Sequence, residues 1–238
     1  MFTRKDRILL FWLILAGLIG CAAGVPLSIA VLNDPAAGGP INPQTIWLRA
    51  LMEAMFLLAP ASVLGLWLGK KMDIARISDR VYSYIIPSIT VGLALALPGL
   101  AGRFLFSEGD FGPGMSNPTA LDWLLRSLSA ALTEEIAFRL GLMTLFVWMI
   151  RLIIKKPDFD KPSLWIGNLL AALVFAGAHL PQVLSVDVPN WSLVVLIVVF
   201  NTLGGVVLGW LYTRYCLLAA IFAHFIADFV QHVIPRLI

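Results

Sequence analysis

Long apolar runs separated by short polar connectors dominate the pattern of this chain. The runs cover approximately residues 8–32, 52–69, 81–102, 132–150, 164–180, 191–213 and 215–234. Each is close to the roughly 20 residues of helix that cross the apolar core of a bilayer. The apolar residues come in runs rather than in the alternation of a half-buried strand. The pattern therefore predicts an all-α, polytopic transmembrane helix bundle of about seven spans in one domain.

Composition agrees with this prediction. The chain has 238 residues, of which 60% are hydrophobic and 13% charged, and its mean hydropathy is +0.90. A soluble domain is about half apolar and about a quarter charged. Cys21 and Cys216 lie in apolar runs and form no CxxC pair, so neither a disulfide framework nor a thiolate metal site is predicted.

Basic residues indicate the orientation. They precede the first run, within residues 4–7, and follow the second, fourth and sixth runs, whereas residues 33–45 and 181–190 contain none. The positive-inside rule then predicts a cell-membrane protein with a cytoplasmic N-terminus and an external C-terminus. Because basicity marks topology here, nucleic acid is not an expected partner. The first run continues to Leu32, so we expect a retained helix rather than a cleaved signal peptide.

The segment 119–154 is too long for a single span. As one helix it would measure about 50 Å, more than the apolar thickness of a bilayer. We therefore expect residues 121–128 to form an interfacial amphipathic helix that leads into the fourth span. The alternative is a further span, which would raise the count to eight and change the sidedness.

Three ionisable residues interrupt the fourth run: Glu134, Glu135 and Arg139. Such groups cost at least a few kcal/mol inside a membrane and usually face a protein interior or a wet cavity. On a helix, Glu135 and Arg139 are i,i+4 neighbours and can pair. Glu134 points about 100° away. We expect the partner of Glu134 on another helix, because a buried carboxylate needs one.

Two later runs carry further candidates. His179 ends the fifth run, and His224 and Asp228 share one face of the seventh, where Asp228 could orient the imidazole. Each set alone is also explained by structural hydrogen bonds. Together they contain the groups that hydrolysis needs, namely a carboxylate base for water and an imidazole for the oxyanion or the leaving amine.

A divalent metal such as zinc is a less favoured alternative for the same groups. The chain has no HExxH, and the residues fall on three separate helices. No cofactor is therefore predicted.

Three signatures occur in this order: Glu134-Glu135-x-x-x-Arg139, Phe175-x-x-x-His179 and His224-x-x-x-Asp228. Together they resemble the motifs of the CAAX protease and bacteriocin-processing (CPBP, also called Abi) family, which includes the type II CAAX prenyl endopeptidases. The resemblance divides the chain into N-terminal transmembrane helices without motifs, residues 1–118, and a CPBP-like catalytic helix bundle, residues 119–238.

The resemblance implies an intramembrane endopeptidase that cleaves a membrane-associated peptide or protein substrate in the lipid bilayer. Glu134 would correspond to the water-activating carboxylate, supported by Glu135 and Arg139. His179 and His224 would correspond to catalytic or oxyanion-stabilising histidines.

Asp228 departs from the Asn that is typical of the prenyl endopeptidase branch, so prenyl-peptide specificity is not carried over. Two other functions stay open at this point. The chain could be a non-catalytic membrane scaffold or regulator whose buried charges are structural. It could also be a proton-coupled transporter, although it has no internal repeat.

Overall fold

The structure, a computed structural model, describes residues 2–32, 42–74, 77, 81–105, 118–184 and 190–238. Residues 33–41, 106–117 and 185–189, which include most of the predicted connectors at 33–40 and 107–118, lie outside the described residues. Within the described part, the chain forms helices and no strand. The helices are α1 (Arg4–Leu32), α2 (Pro43–Lys71), α3 (Val81–Leu105), α4 (Ala120–Ile154), α5 (Asp160–Ala178), the short α6 (Leu180–Leu184), α7 (Trp191–Arg214) and α8 (Leu217–Arg236).

Seven of these helices, all except α6, are long and apolar enough to cross a membrane in the part of the chain that the structure describes. This confirms the predicted all-α bundle and its count of spans. The helices begin where the sequence supplies caps. Asn42 accepts a hydrogen bond from the backbone N–H of Gln44 before α2, and Asn190 accepts one from that of Leu193 before α7.

The outside of the bundle is apolar. Large side chains such as Trp12, Phe56 and Ile153 are exposed on it, as expected for a surface that faces lipid tails. The interior is lined mainly by α4, α7 and α8, whose fully buried side chains include Ile136, Leu140, Val147, Leu211, Tyr212 and Leu217. Helix α4 therefore runs through the centre of the bundle.

Helix α4 corrects one prediction. Residues 121–128 do not form a separate interfacial helix, because the chain is helical without a break over Ala120–Ile154. A reciprocal capping box starts this helix: Asp122 N–H donates to Thr119 Oγ1, and Thr119 N–H donates to Asp122 Oδ2. Ser127, Ser129 and Ala130 are already buried. The helix becomes buried from Ser127 onward, so residues 121–128 continue directly into the buried part of α4.

Small residues let α5 and α7 approach closely. A Cβ added at Gly205 would lie 2.8 Å from Cβ of Ala172, and one added at Gly209 would overlap the side chain of Asn168. Nδ2 of Asn168 in turn donates a 2.8 Å hydrogen bond to the carbonyl of Val206. The glycine pair of α7 therefore packs against α5, as small residues four apart do in membrane helices.

Ion pairs connect helix ends on one side of the bundle. Lys70 at the end of α2 pairs with Asp6 at the start of α1. Arg151 near the end of α4 lies 3.1 Å from Asp160 of α5 and donates a 2.9 Å hydrogen bond from Nε to Ser163 Oγ. These contacts lie at helix ends rather than at the level of the site described next.

Candidate active site

In the part of the chain that the structure describes, three helices contain a stretch of π-helix: Ala54–Leu58 in α2, Glu135–Met143 in α4 and Phe229–Val233 in α8. The residue before each stretch is acidic: Glu53, Glu134 and Asp228. A π-helix is rare and is found frequently at functional sites, because the extra residue per turn changes the direction of side chains. Two of these three acids, Glu134 and Asp228, lie at one cluster of polar side chains.

Glu135 is fully buried between two partners. Its Oε1 accepts a 2.8 Å hydrogen bond from Nδ1 of His224, and its Oε2 lies 3.1 Å from Nε of Arg139. The predicted pairing of Glu135 with Arg139 is confirmed. An ionised carboxylate only accepts hydrogen bonds, so Nδ1 carries the hydrogen and Nε2 of His224 is the nitrogen left for other partners.

Glu134 contributes the second carboxylate. Its Oε2 lies 3.7 Å from Nε2 of His224, and its Oε1 lies 3.5 Å from Nη2 of Arg126. Oε2 is buried and accepts no hydrogen bond from the described residues. A buried polar atom without a partner is uncommon in a folded protein, and a catalytic role is one physical reason to retain it.

Asp228 is the third carboxylate. Its Oδ2 lies 3.8 Å from Nε2 of His224, beyond hydrogen-bond distance. The expectation that Asp228 orients the imidazole is therefore wrong, because Glu135 makes the orienting hydrogen bond from the opposite nitrogen. Nε2 of His224 instead faces carboxylate oxygens of both Glu134 and Asp228. A molecule the size of water could contact the imidazole nitrogen and both carboxylates.

His179 joins the cluster through Phe175. The Phe175 ring centroid lies 4.7 Å from that of His179 and 6.3 Å from that of His224, while the Arg139 guanidinium carbon lies 4.5 Å from it. His179 Nδ1 donates a 2.9 Å hydrogen bond to the carbonyl of Phe175, since a carbonyl only accepts. Nε2 of His179 is thus the nitrogen available to a substrate, and the imidazole interacts electrostatically with Glu134.

Sequence reasoning missed Arg126. His224 on α8 satisfies the expectation that Glu134 finds a partner on another helix. However, Arg126 also contacts Glu134, and it lies on α4 itself, two turns earlier. The interfacial-helix interpretation separated Arg126 from the fourth span and hid this relationship. Treating residues 120–154 as one helix would have revealed it.

A metal site finds no support in the geometry. Among the described residues, no group of three or more His, Cys, Asp or Glu side chains has an arrangement that could hold a metal ion. The Nδ1 atoms of His179 and His224 are both used in hydrogen bonds, and Glu135 is occupied by Arg139 and His224. The residues present fit acid–base chemistry better than metal coordination.

Residues 116–230 match the protein family described as Rce1-like, type II CAAX prenyl endopeptidase. The match includes every residue of the polar cluster: Arg126, Glu134, Glu135, Arg139, Phe175, His179, His224 and Asp228. No curated protein and no solved structure matches the chain.

The motifs that suggested the resemblance therefore lie inside the matched region, on helices that bring them together. A multi-pass membrane bundle and this match agree with each other. As the three signatures suggested, residues 116–230 are similar to the Rce1-like family of type II CAAX prenyl endopeptidases.

Proposed function

We propose that the protein is an intramembrane endopeptidase that hydrolyses a peptide bond of a membrane-associated substrate with water activated by Glu134. The observation that supports this most directly is the 3.7 Å approach of Glu134 Oε2 to Nε2 of His224. This oxygen is buried and accepts no hydrogen bond from the described residues. A carboxylate base and an imidazole from different helices thereby face one point in the bundle. The similarity of residues 116–230 to the Rce1-like endopeptidase family agrees with this chemistry.

In the proposed reaction, Glu134 takes a proton from water while the water oxygen attacks the carbonyl carbon of the scissile peptide. The carbonyl oxygen becomes an oxyanion, and His224 or His179 donates a hydrogen bond to it. Glu134 then gives its proton to the leaving amine as the carbon–nitrogen bond breaks. The products are a new carboxyl end and a new amino end, so atoms and protons balance without a cofactor.

Glu135 and Arg139 have supporting roles in this proposal. Glu135 holds His224 by the hydrogen bond to Nδ1, which directs Nε2 toward the reacting atoms. Arg139 balances the charge of Glu135, because a buried carboxylate needs a compensating cation. Asp228 adds a further carboxylate 3.8 Å from Nε2 of His224.

The family description names prenyl endopeptidases. Because Asp228 stands where that branch typically has Asn, the proposed substrate class is the broader one, a membrane-associated peptide or protein. We further propose a location in the cell membrane with a cytoplasmic N-terminus. In that orientation His179, at the end of α5, lies toward the external face.

The test compares protein N-termini by mass spectrometry in host cells that express the wild type or Glu134→Gln at equal levels. Asp158→Asn is the matched control, because Asp158 is an exposed acid in the turn before α5, at the opposite end of that helix from His179. New N-termini that are present with the wild type and the control but absent with Glu134→Gln would identify both the activity and its substrate.

Identical N-termini in all three strains, with folded protein in each, would contradict the proposal and favour a scaffold whose buried charges are structural. Uptake of a solute driven by a pH gradient in liposomes would instead indicate a transporter. The Glu134→Gln variant keeps the size of the side chain, so a loss of cleavage would report the loss of the base rather than a loss of volume.

A further inference from the structure

We propose that Arg126 is a positioning residue of the active site, which holds Glu134 as an ionised base without itself touching the substrate. The inference rests on the function proposed for Glu134. It is carried by one contact that the family signatures do not include, the 3.5 Å approach of Arg126 Nη2 to Glu134 Oε1.

The balance of charge in the cluster makes this contact necessary. Glu134, Glu135 and Asp228 place three carboxylates around one imidazole, each within ion-pair distance of it. Arg139 is already engaged with Glu135 at 3.1 Å. Without a second cation, the cluster would hold three negative charges against Arg139 and His224, and ionised Glu134 would be disfavoured in a low-dielectric interior.

The contact between Arg126 and Glu134 also leaves Oε2 of Glu134 available to accept a proton. Arg126 approaches Oε1 of Glu134, whereas Oε2 is the oxygen that faces Nε2 of His224. The Arg126 side chain is 36% exposed and that of Glu134 17%, so the arginine lies on the outer side of the glutamate. Arg126 can therefore stabilise the charge of Glu134 while Oε2 accepts a proton from water.

Helix α2 contributes to the same arrangement. Glu53 interacts electrostatically with both Arg126 and Glu134, and it lies directly before the π-helical stretch Ala54–Leu58. Glu53 on α2 thus interacts with the same arginine, Arg126, that contacts Glu134 in the active site. The charged and titratable groups around Glu134 thus include Arg126, Arg139, His179 and His224 and the carboxylates of Glu53, Glu135 and Asp228.

Arg126 approaches Glu134 through a single nitrogen at 3.5 Å, so the effect of its charge can be tested separately from the shape of the guanidinium group. A bidentate arginine cannot be replaced by lysine, but a role that depends on charge alone tolerates the substitution. We therefore compare Arg126→Gln with Arg126→Lys. Arg151→Gln is the matched control, because Arg151 is another α4 arginine that pairs with an acid, Asp160, away from the site.

The first readout needs no substrate. Dicyclohexylcarbodiimide reacts with carboxyl groups in apolar surroundings when they are protonated, and peptide mass spectrometry locates the product. Purified full-length variants with the same size-exclusion elution profile as the wild type are treated with dicyclohexylcarbodiimide at neutral pH. We expect modification of Glu134 to rise about tenfold in Arg126→Gln, because a neighbouring cation favours the ionised form. Arg126→Lys and Arg151→Gln should react like the wild type.

The second readout is cleavage of the substrate identified by the N-terminal comparison. Arg126→Gln should lower kcat by about 10- to 100-fold with little change in KM, whereas Arg126→Lys should restore most of kcat. A rise in KM alone would overturn the positioning role in favour of substrate binding.

The two readouts separate the proposals. Unchanged Glu134 modification in Arg126→Gln would overturn the role of Arg126, whether or not the protein is a protease. Increased modification in a protein that cleaves nothing would support the charge relationship and contradict the proposed function. Equal increases in Arg126→Gln and Arg151→Gln would show a general loosening of the bundle and would also overturn the specific role.

Discussion

Nδ1 of His224 donates a 2.8 Å hydrogen bond to Oε1 of Glu135, and this bond joins α8 to α4 inside the bundle. The two residues are 89 positions apart in the sequence. The bond decides which nitrogen of His224 faces Glu134 and Asp228. The adjacent glutamates have different surroundings: Glu135 is fully buried between Arg139 and His224, whereas Glu134 is partly exposed and lies near Arg126 and the other nitrogen of His224.

Glu135→Gln should lower the stability of the protein, although Gln has nearly the same shape as Glu. The substitution leaves Arg139 buried without its counter-charge, and breaking one side of a buried ion pair costs about 3–5 kcal/mol. Thermal unfolding in detergent would measure the loss. Asp158→Asn, which removes an exposed acid, should unfold like the wild type. Equal stability of Glu135→Gln and the wild type would mean that the pair is not a structural centre of the bundle.

His224→Asn should abolish most turnover while the bundle stays folded. The change removes the nitrogen that faces Glu134, and loss of an acid–base or oxyanion group typically costs about 10²- to 10⁴-fold. Initial rates with the identified substrate would test this. His179→Asn serves as a comparison, since His179 touches Phe175 rather than a carboxylate. A larger loss for His179 would exchange the roles proposed for the two histidines.

Asp228→Asn should have a milder effect than His224→Asn. The Asp228 oxygen lies 3.8 Å from His224 and makes no hydrogen bond to it, so only an electrostatic contribution is lost. We expect turnover to change by less than about tenfold, because an ion pair without a hydrogen bond contributes less to catalysis than a group that transfers a proton. Steady-state rates at matched protein levels provide the measurement, and a loss as large as that of His224→Asn would assign Asp228 a direct chemical role.

Gly209→Ala should separate α5 from α7. The new Cβ would overlap Asn168 and displace its hydrogen bond to the carbonyl of Val206, at a cost of about 1–3 kcal/mol for overpacking. Gly177→Ala is the matched control, because a Cβ at Gly177 meets no atom within 4 Å. Denaturation midpoints of the two variants should differ, and equal midpoints would show that this close approach is not needed.

Cysteine labelling would test the proposed orientation. Asp158→Cys, in the turn before α5, should react only with a reagent that enters the cytoplasm, and Ser192→Cys, at the start of α7, should react from outside. Both positions are exposed, whereas the native Cys21 and Cys216 are buried. Labelling of position 158 by an external impermeant reagent would invert the topology.

The fold class was readable from the sequence because a bilayer imposes one length and one polarity on every span. The run of residues 132–150, for example, predicted the later part of helix α4 without any knowledge of its neighbours. The pairing of Glu135 with Arg139 was also readable, because an i,i+4 relationship depends only on the local helix. The three signatures likewise suggested the family whose model matches residues 116–230, because side chains that carry charge in a membrane are few.

Only the tertiary structure decided how these groups meet. No pattern along the chain indicates that His224 Nδ1 binds Glu135 or that the Phe175 ring lies between two imidazoles, because these distances depend on the packing of separate helices. The contact of Arg126 with Glu134 depends on the unbroken course of α4, which burial against the rest of the bundle makes favourable. Local sequence thus determined which residues are helical and charged, and packing determined which charges became neighbours.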